Sequence, residues 1–325
     1  MKTMKSAFGK LPGNFYGMAM IFLFFAFVAP GFVSKFNILA LSKDCCLLII
    51  ISLGMHMTIL SGKLDISVGA VMSFCGVVTA LLLQAGVNMW VAILAGILLG
   101  ACMGTLSGYL IAYQGFDFWV VTYAFMGIAQ GLALVLSDGN TIPGFSENFR
   151  FFGTGKIFGI FVIIWITILI SAFMVYLNFK TKFGYNVYSV GGSPSSAQLS
   201  GINVRRVCLS VFAISGIMSA VSGILLAAKS NSASPIGGSG YEFDAIAAVL
   251  IGGTPFCGGV GRITHTIMGA ILMRMLRNGL NLVGLSPYWQ TFIIGAIVML
   301  VIIVDVLHQR RKSEQAERRV YLLET

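Results

Sequence analysis

The sequence predicts an all-α membrane protein of about ten transmembrane helices, carrying a weak inverted repeat. Three observations predict it. Of 325 residues, 57% are hydrophobic and only 10% are charged, where a soluble domain is about 25% charged; mean hydropathy is +0.91. The apolar residues come in runs near the roughly 20 residues that one helical span needs. A lipid-exposed backbone must satisfy its own polar groups, and runs this long do so as helices rather than as barrel strands. Short stretches also recur five spans apart, an odd offset that turns the second half over relative to the first.

Residues 1–14 form an N-terminal segment carrying Lys2, Lys5 and Lys10. No small-residue cleavage site follows, so the first apolar run is read as a retained span rather than a signal. The transmembrane domain is predicted over 15–306, with spans at Phe15–Val33, Cys45–Leu60, Ile66–Leu83, Val87–Ala112 and Phe118–Leu136. A polar segment, Ser137–Lys156, precedes a sixth span at Ile157–Phe179, and a polar loop over 180–206 precedes a seventh at Val207–Ala228. The apolar piece Tyr241–Ile251 is too short to cross alone. A glycine-rich tract ending at Arg262 leads into spans at Ile263–Val283 and Pro287–Val304, then a basic tail over 307–325.

Lysine and arginine collect on the cytoplasmic side of membrane proteins. With the N-terminus inside, Lys63, Lys180, Lys182, Arg205, Arg206, Arg262 and the tail fall inside, against Lys35, Lys43, Arg150, Lys156 and Lys229 outside. The net charge of +10 then reflects topology, and no nucleic-acid partner is implied. The six cysteines, largely within apolar runs and without a Cys-x-x-Cys pair, read as small core residues.

Gly96, Gly100, Gly104 and Gly108 recur every four residues. They make a bare ridge that lets another helix backbone approach closely, a device repeated more weakly by Ser215, Ser219 and Gly223. The internal repeat pairs Leu64-Asp65-Ile66 with Phe243-Asp244-Ala245, and Met103-Gly104 with Met268-Gly269.

The loop over 180–206 organises the chain. It is basic, rich in serine and glycine, and contains a short helix with both ends marked. Ser193 is placed to cap it, Pro194 suits its first position and Gly201 its left-handed close. A helix of roughly two turns is too short to persist unaided, so something must hold it; it reads either as an ordinary loop with a helical turn or as a docking knob for a cytoplasmic partner.

No phosphate-cradling G-x-x-x-x-G-K-[ST] occurs, and nucleophile-elbow and paired-carboxylate patterns are absent from the sequence. Asp65, Asp117, Glu242, Asp244 and Asp305 are read as lying near span ends, and His56 as a packed neutral histidine rather than a proton relay. The chain is therefore expected to be no enzyme and to need no cofactor of its own. Arg274 and Arg277 share one helix face near or beyond mid-membrane, where they must meet acid partners, water or an anionic ligand. The tract Gly237–Arg262 breaks a helix at membrane depth, which is tolerated only where it is buried in protein or lines a wet cavity.

Five motifs, in order along nearly the whole chain, carry a resemblance. They are GKLDISVG at Gly62–Gly69, GIAQGLALVLSDG at Gly127–Gly139, VGGSPSSAQLSGINV at Val190–Val204, GSGYEFDAIAAVLIGGTPFCGGVGRI at Gly238–Ile263 and NGLNLVGLSPYWQ at Asn278–Gln290. On these the chain resembles the ribose-type permease subunits of bacterial ATP-binding-cassette (ABC) importers, which are similar in fold to the membrane subunit of the vitamin B12 importer. The resemblance implies a second copy of itself or a related permease, and cytoplasmic ATP-binding subunits that hold the ATP and magnesium. It also implies a periplasmic or lipid-anchored sugar-binding protein, and a location in the bacterial inner membrane with both termini cytoplasmic. It places Gly191, Gly192, Ser193, Ser196, Ala197, Leu199, Ser200 and Gly201 at the contact with the ATPase, with a charge at Ala197 expected to uncouple it. Candidate residues of the translocation path are Asp65, Ser67, Asp244, Arg274, Arg277, Asn278 and Asn281. The sequence departs from the family pattern at Ser193-Pro194-Ser195-Ser196, where acidic residues are usual, and at Lys63, His265, Arg274 and Arg277.

The function expected is passage of a monosaccharide, pentose or hexose, driven by ATP hydrolysis in a partner. The alternative is a secondary sugar carrier working alone, against which the sequence offers no deep acid or histidine relay.

Overall fold

The computed structural model describes residues 13–297, 299, 300 and 303. Its helices are α1 (Gly13–Val28), α2 (Lys35–Leu60), α3 (Val68–Gln84), α4 (Met89–Ala112), α5 (Phe118–Leu136), α6 (Glu147–Thr154), α7 (Val162–Lys180), α8 (Lys182–Gly192), α9 (Pro194–Leu199), α10 (Val204–Ser230), α11 (Tyr241–Ile251) and α12 (Ile263–Leu282). Residues 287–297 are also helical. The remainder of the expected last span, Asp305 and the tail lie outside the described residues. Of these helices α2, α4, α5, α7 and α10 are long and apolar enough to cross a membrane.

Local sequence explains most of the boundaries. Asp117 accepts from the Trp119 N–H at 2.8 Å and starts α5; Asn203 accepts from the Arg206 N–H at 3.0 Å and starts α10. Such caps satisfy donors that have no partner inside the helix. The second span begins earlier than the sequence suggests. Ser34 caps it by accepting from the Asn37 N–H at 3.3 Å, so the helix starts at Lys35 rather than Cys45. Lys43 and Asp44 do not interrupt it, because Asp44 forms an ion pair with Lys229 of α10 and Lys43 stands over the Phe161 ring.

The segment Ser137–Lys156 is more ordered than a polar loop. It holds α6 and a two-residue strand, Ile142–Pro143, which pairs antiparallel with Ser232–Ala233 beyond α10. A second two-stranded ribbon pairs Lys156–Ile157 with Ile160–Phe161.

The core forms around α2 and α10. From Cys45 to Leu60 every residue of α2 is buried, as expected of a helix apolar on all sides. The glycine ridge of α4 lies against α10. A Cβ at Gly100 would stand 2.5 Å from the Gly216 carbonyl oxygen and 2.6 Å from the Ala220 Cβ, and one at Gly104 would overlap the Phe212 carbonyl. The row Ser215, Ser219, Gly223 does not meet that ridge. Gly223 packs against the backbone of Met72 in α3, and Ser215 bonds to Asp65. The two repeat-related segments also pack on each other: the Gly238 N–H donates to Ser73 Oγ at 2.8 Å, and Gly69 and Gly238 stand backbone to backbone.

Candidate functional site

The short helix of the polar loop, α9, has the marked ends. Ser193 Oγ accepts from the Ser196 N–H at 3.3 Å with Pro194 in the first turn. Gly201 takes φ +82°, and the Ile202 N–H returns to the Ala197 carbonyl at 3.0 Å. Leu199 is 91% exposed and Ala197 only 4%. Ala197 therefore faces its own chain, and the apolar side chain offered outward is Leu199. Ser193, Ser196 and Ser200 line a hollow of about 920 Å³ together with Lys180, Lys182 and Tyr185.

Ahead of α9 stands a helix that the sequence reading missed. Thr181 caps α8 by accepting from the Gly184 N–H at 3.2 Å. A Thr followed at the third position by glycine is the signal that could have found it. The far end of α8 reaches a junction of three backbones. A Cβ on Gly191 would overlap the Leu60 carbonyl and stand 2.5 Å from the Gly259 nitrogen. The Gly259 N–H donates to the Leu60 carbonyl at 2.9 Å. Gly258 and Gly259 both have φ near +74°, a conformation open to glycine at little cost. Here the end of α2, the end of α8 and the loop after α11 touch with no side chain between them. Tyr188 of α8 adds a polar tie: its hydroxyl lies 2.8 Å from the Gly261 carbonyl and 3.0 Å from Asn178 Oδ1.

Asp117 stands at a span end as read, exposed at the start of α5, but Asp65 and Asp244 are deeper than that. Asp65 is 1% exposed. One carboxylate oxygen accepts from the Ser67 N–H at 3.0 Å and the Ser67 hydroxyl at 2.6 Å, and the other from Ser215 Oγ at 2.8 Å. Ser215 lies roughly 16 Å along α10 from its start. Asp65 ends a loop by sequence, yet that loop returns into the bundle. Asp244, in the first turn of α11 and 2% exposed, meets Arg277 at 2.6 Å and Arg274 at 3.8 Å, with Arg277 roughly 21 Å from the start of α12. The Arg274 guanidinium also stands 4.2 Å from the centre of the Tyr241 ring, a cation–π contact. The two arginines thus have the nearby carboxylate that their depth demands.

The path candidates therefore fall into separate places. Asp65 and Ser67 form one cluster. Asp244, Arg274 and Arg277 form another. Asn278 forms a reciprocal amide pair with Asn37 of α2, with both bonds at 2.9 Å, and Asn281 is exposed. Arg277 reaches a cleft of about 820 Å³ that Ser239, Glu242, Phe243 and Thr291 also line. Glu242 reads in the sequence only as an acid near a span end. It is buried, with one oxygen accepting from the Gly240 N–H at 3.1 Å and the other without a partner. His56 is fully buried, its Nδ1 2.8 Å from the Thr266 hydroxyl, a packed histidine. Cys45, Cys46, Cys75 and Cys208 are buried, whereas Cys102 and Cys257 are exposed.

Comparison with known proteins gives this arrangement relatives. The family model described as branched-chain amino acid transport system / permease component matches residues 37–302. The chain is 36% identical over 303 residues to the ribose import permease protein RbsC of Bacillus subtilis (strain 168), covering 93% of each chain. It is 33% identical over 297 residues to the D-allose transport system permease protein AlsC of Escherichia coli (strain K12), covering 91% of each. To the L-arabinose transport system permease protein AraH of the same organism it is 32% identical over 301 residues, covering 91% of this chain and 92% of that one. No solved structure matches the chain.

Proposed function

Because this chain belongs to the family of branched-chain amino acid transport system permease components, we propose one role for it. It is the membrane-spanning permease subunit of an ABC importer that carries a monosaccharide, pentose or hexose, into the cytoplasm. The relatives named for ribose, allose and arabinose support the substrate class. The energy comes from ATP hydrolysis in separate cytoplasmic subunits, and a sugar-binding protein outside delivers the substrate. Two permease chains, identical or related, form the pathway. Each chain has about ten spans in a fold like that of the vitamin B12 importer's membrane subunit, in the bacterial inner membrane with both termini cytoplasmic.

The observation that carries the coupling role is the three-backbone junction. The loop helix α9 offers Leu199 outward, and α8, two residues before it, is seated directly on Leu60 and Gly259. A push on α9 by a partner is thereby passed without side-chain slack to α2 and to the loop closing the half-length helix α11. That helix carries Asp244 and Glu242 beside the cleft at Arg277, whose hydrogen-bonding groups suit the hydroxyls of a sugar.

The test is ATP-dependent uptake. The chain would be reconstituted in vesicles with its ATP-binding subunit and its sugar-binding protein, and offered labelled ribose, allose and arabinose. Uptake that needs both ATP on the cytoplasmic side and the binding protein supports the reading. Uptake by the chain alone, driven by an ion gradient, would establish the secondary carrier instead.

A further inference from the structure

We propose that the cleft between α1, α2, α7 and α12 holds one acyl chain of an anionic phospholipid whose phosphate sits at Lys43 and Lys156. The cleft has a volume of about 510 Å³, and its walls include Phe22, Ile38, Cys45, Ile164, Ile168 and Ile271. Three of the polar groups in the walls are already used. Ser42 donates to the Leu39 carbonyl at 2.8 Å, Cys46 to the Ser42 carbonyl at 3.2 Å and Thr167 to the Ile163 carbonyl at 2.8 Å. Apart from Ser171 and the Cys45 thiol the surface left over is hydrocarbon, which offers water too few partners to stay. Along α2 the cleft runs from Ile38 to Ile49, roughly 16 Å at 1.5 Å per residue. The part beyond Lys43, as far as Ile49, is roughly 9 Å, well within the roughly 15 Å of a single leaflet, so it seats the first part of one fatty chain.

The charge at its side selects the headgroup. The Lys43 and Lys156 ammonium groups stand 4.7 and 5.0 Å from the centre of the same Phe161 ring. Lys43 adjoins Ser42 in the α2 wall, and Phe161 directly precedes α7, the facing wall. Among the described residues no carboxylate pairs with either lysine, since the neighbouring Asp44 is engaged by Lys229. Two like charges brought to one ring at a membrane surface are relieved by an anion, and a phosphate accepts from both. The occupant is thus an anionic lipid from the leaflet on the Lys35 side of α2.

The experiment uses the full chain purified in mild detergent and incubated with phosphatidylglycerol or with phosphatidylcholine of the same acyl chains. Bound lipid is counted by native mass spectrometry. Wild type should retain phosphatidylglycerol at least fivefold over phosphatidylcholine. Lys43→Gln with Lys156→Gln should abolish that preference, and Ile168→Trp, which fills the cleft, should reduce retention of both lipids. Lys156 is exposed and Lys43 half-buried, so the Gln pair should leave the bundle intact, and its result stands even where Ile168→Trp lowers the yield. Equal retention of the two lipids by wild type, or an unchanged preference in the Gln pair, would overturn the proposal. So would a cleft that excludes lipid because a second copy of the chain covers it.

Discussion

Tyr188 and Gly261 meet across seventy-odd residues of chain, the Tyr188 hydroxyl 2.8 Å from the Gly261 carbonyl. The contact ties α8, in the polar loop ahead of α9, to the glycine-rich segment that closes α11. Tyr188→Phe removes the hydroxyl and keeps the ring. A lost hydrogen bond of this kind costs about 1 kcal/mol, so the protein should fold and assemble. If the tie transmits motion, sugar moved per ATP hydrolysed should fall severalfold while ATPase activity persists. An unchanged ratio in reconstituted vesicles would leave Tyr188 with a packing role only.

Asp244 and Arg277 allow the structural and path roles to be separated. Arg277→Gln leaves Asp244 with Arg274 alone, at 3.8 Å. Removing one partner of a buried pair costs about 3–5 kcal/mol, and the partial exposure of Arg277 puts this case at the lower end. Adding Asp244→Asn removes the stranded charge, and the double variant should regain much of the lost thermal stability. Uptake should stay low in the double variant if Arg277 contacts the sugar. Recovery of uptake along with stability would make the pair a structural one.

Gly100 tests the packing of α4 on α10. A Cβ there would already stand 2.5 Å from the Gly216 carbonyl oxygen, so Gly100→Leu must push the helices apart. Overpacking of this kind costs about 1–3 kcal/mol or more, and yield and melting temperature in detergent should drop. Gly127→Ala in α5 is the control, because no atom lies within 4 Å of its added Cβ. Its stability should be unchanged or slightly raised by the better helix propensity of alanine. Equal behaviour of the two variants would mean that the ridge is not a close contact.

What the sequence made legible is what local pattern encodes. Phe118–Leu136 and Tyr241–Ile251 are helices with the bounds that hydropathy and turn residues assign, and Ser193 and Gly201 cap α9 as their chemistry suggests. The missing parts depend on partners far away in the chain. Asp44 reads as a boundary until Lys229 neutralises it. Asp65 reads as an acid near a span end until Ser215, far along the chain, is found bonded to it. Asn278 reads as a path candidate, and its amide partner Asn37, far away in the chain, cannot be seen in the sequence. Ala197 and Leu199 sit two residues apart on so short a helix that only the fold decides which faces outward.

The central claim is that α9 couples the partner's ATP hydrolysis to sugar passage, and Leu199→Asp tests it most directly. Leu199 is 91% exposed, and surface substitutions of this kind change stability by about 0.5 kcal/mol or less, so the permease itself should fold as wild type. In a seated interface the new carboxylate would be buried without a partner, at a cost of several kcal/mol. Uptake by the reconstituted complex, measured beside its ATPase rate, should fall at least tenfold with the permease still folded. Wild-type uptake from a fully assembled Leu199→Asp complex would contradict the account.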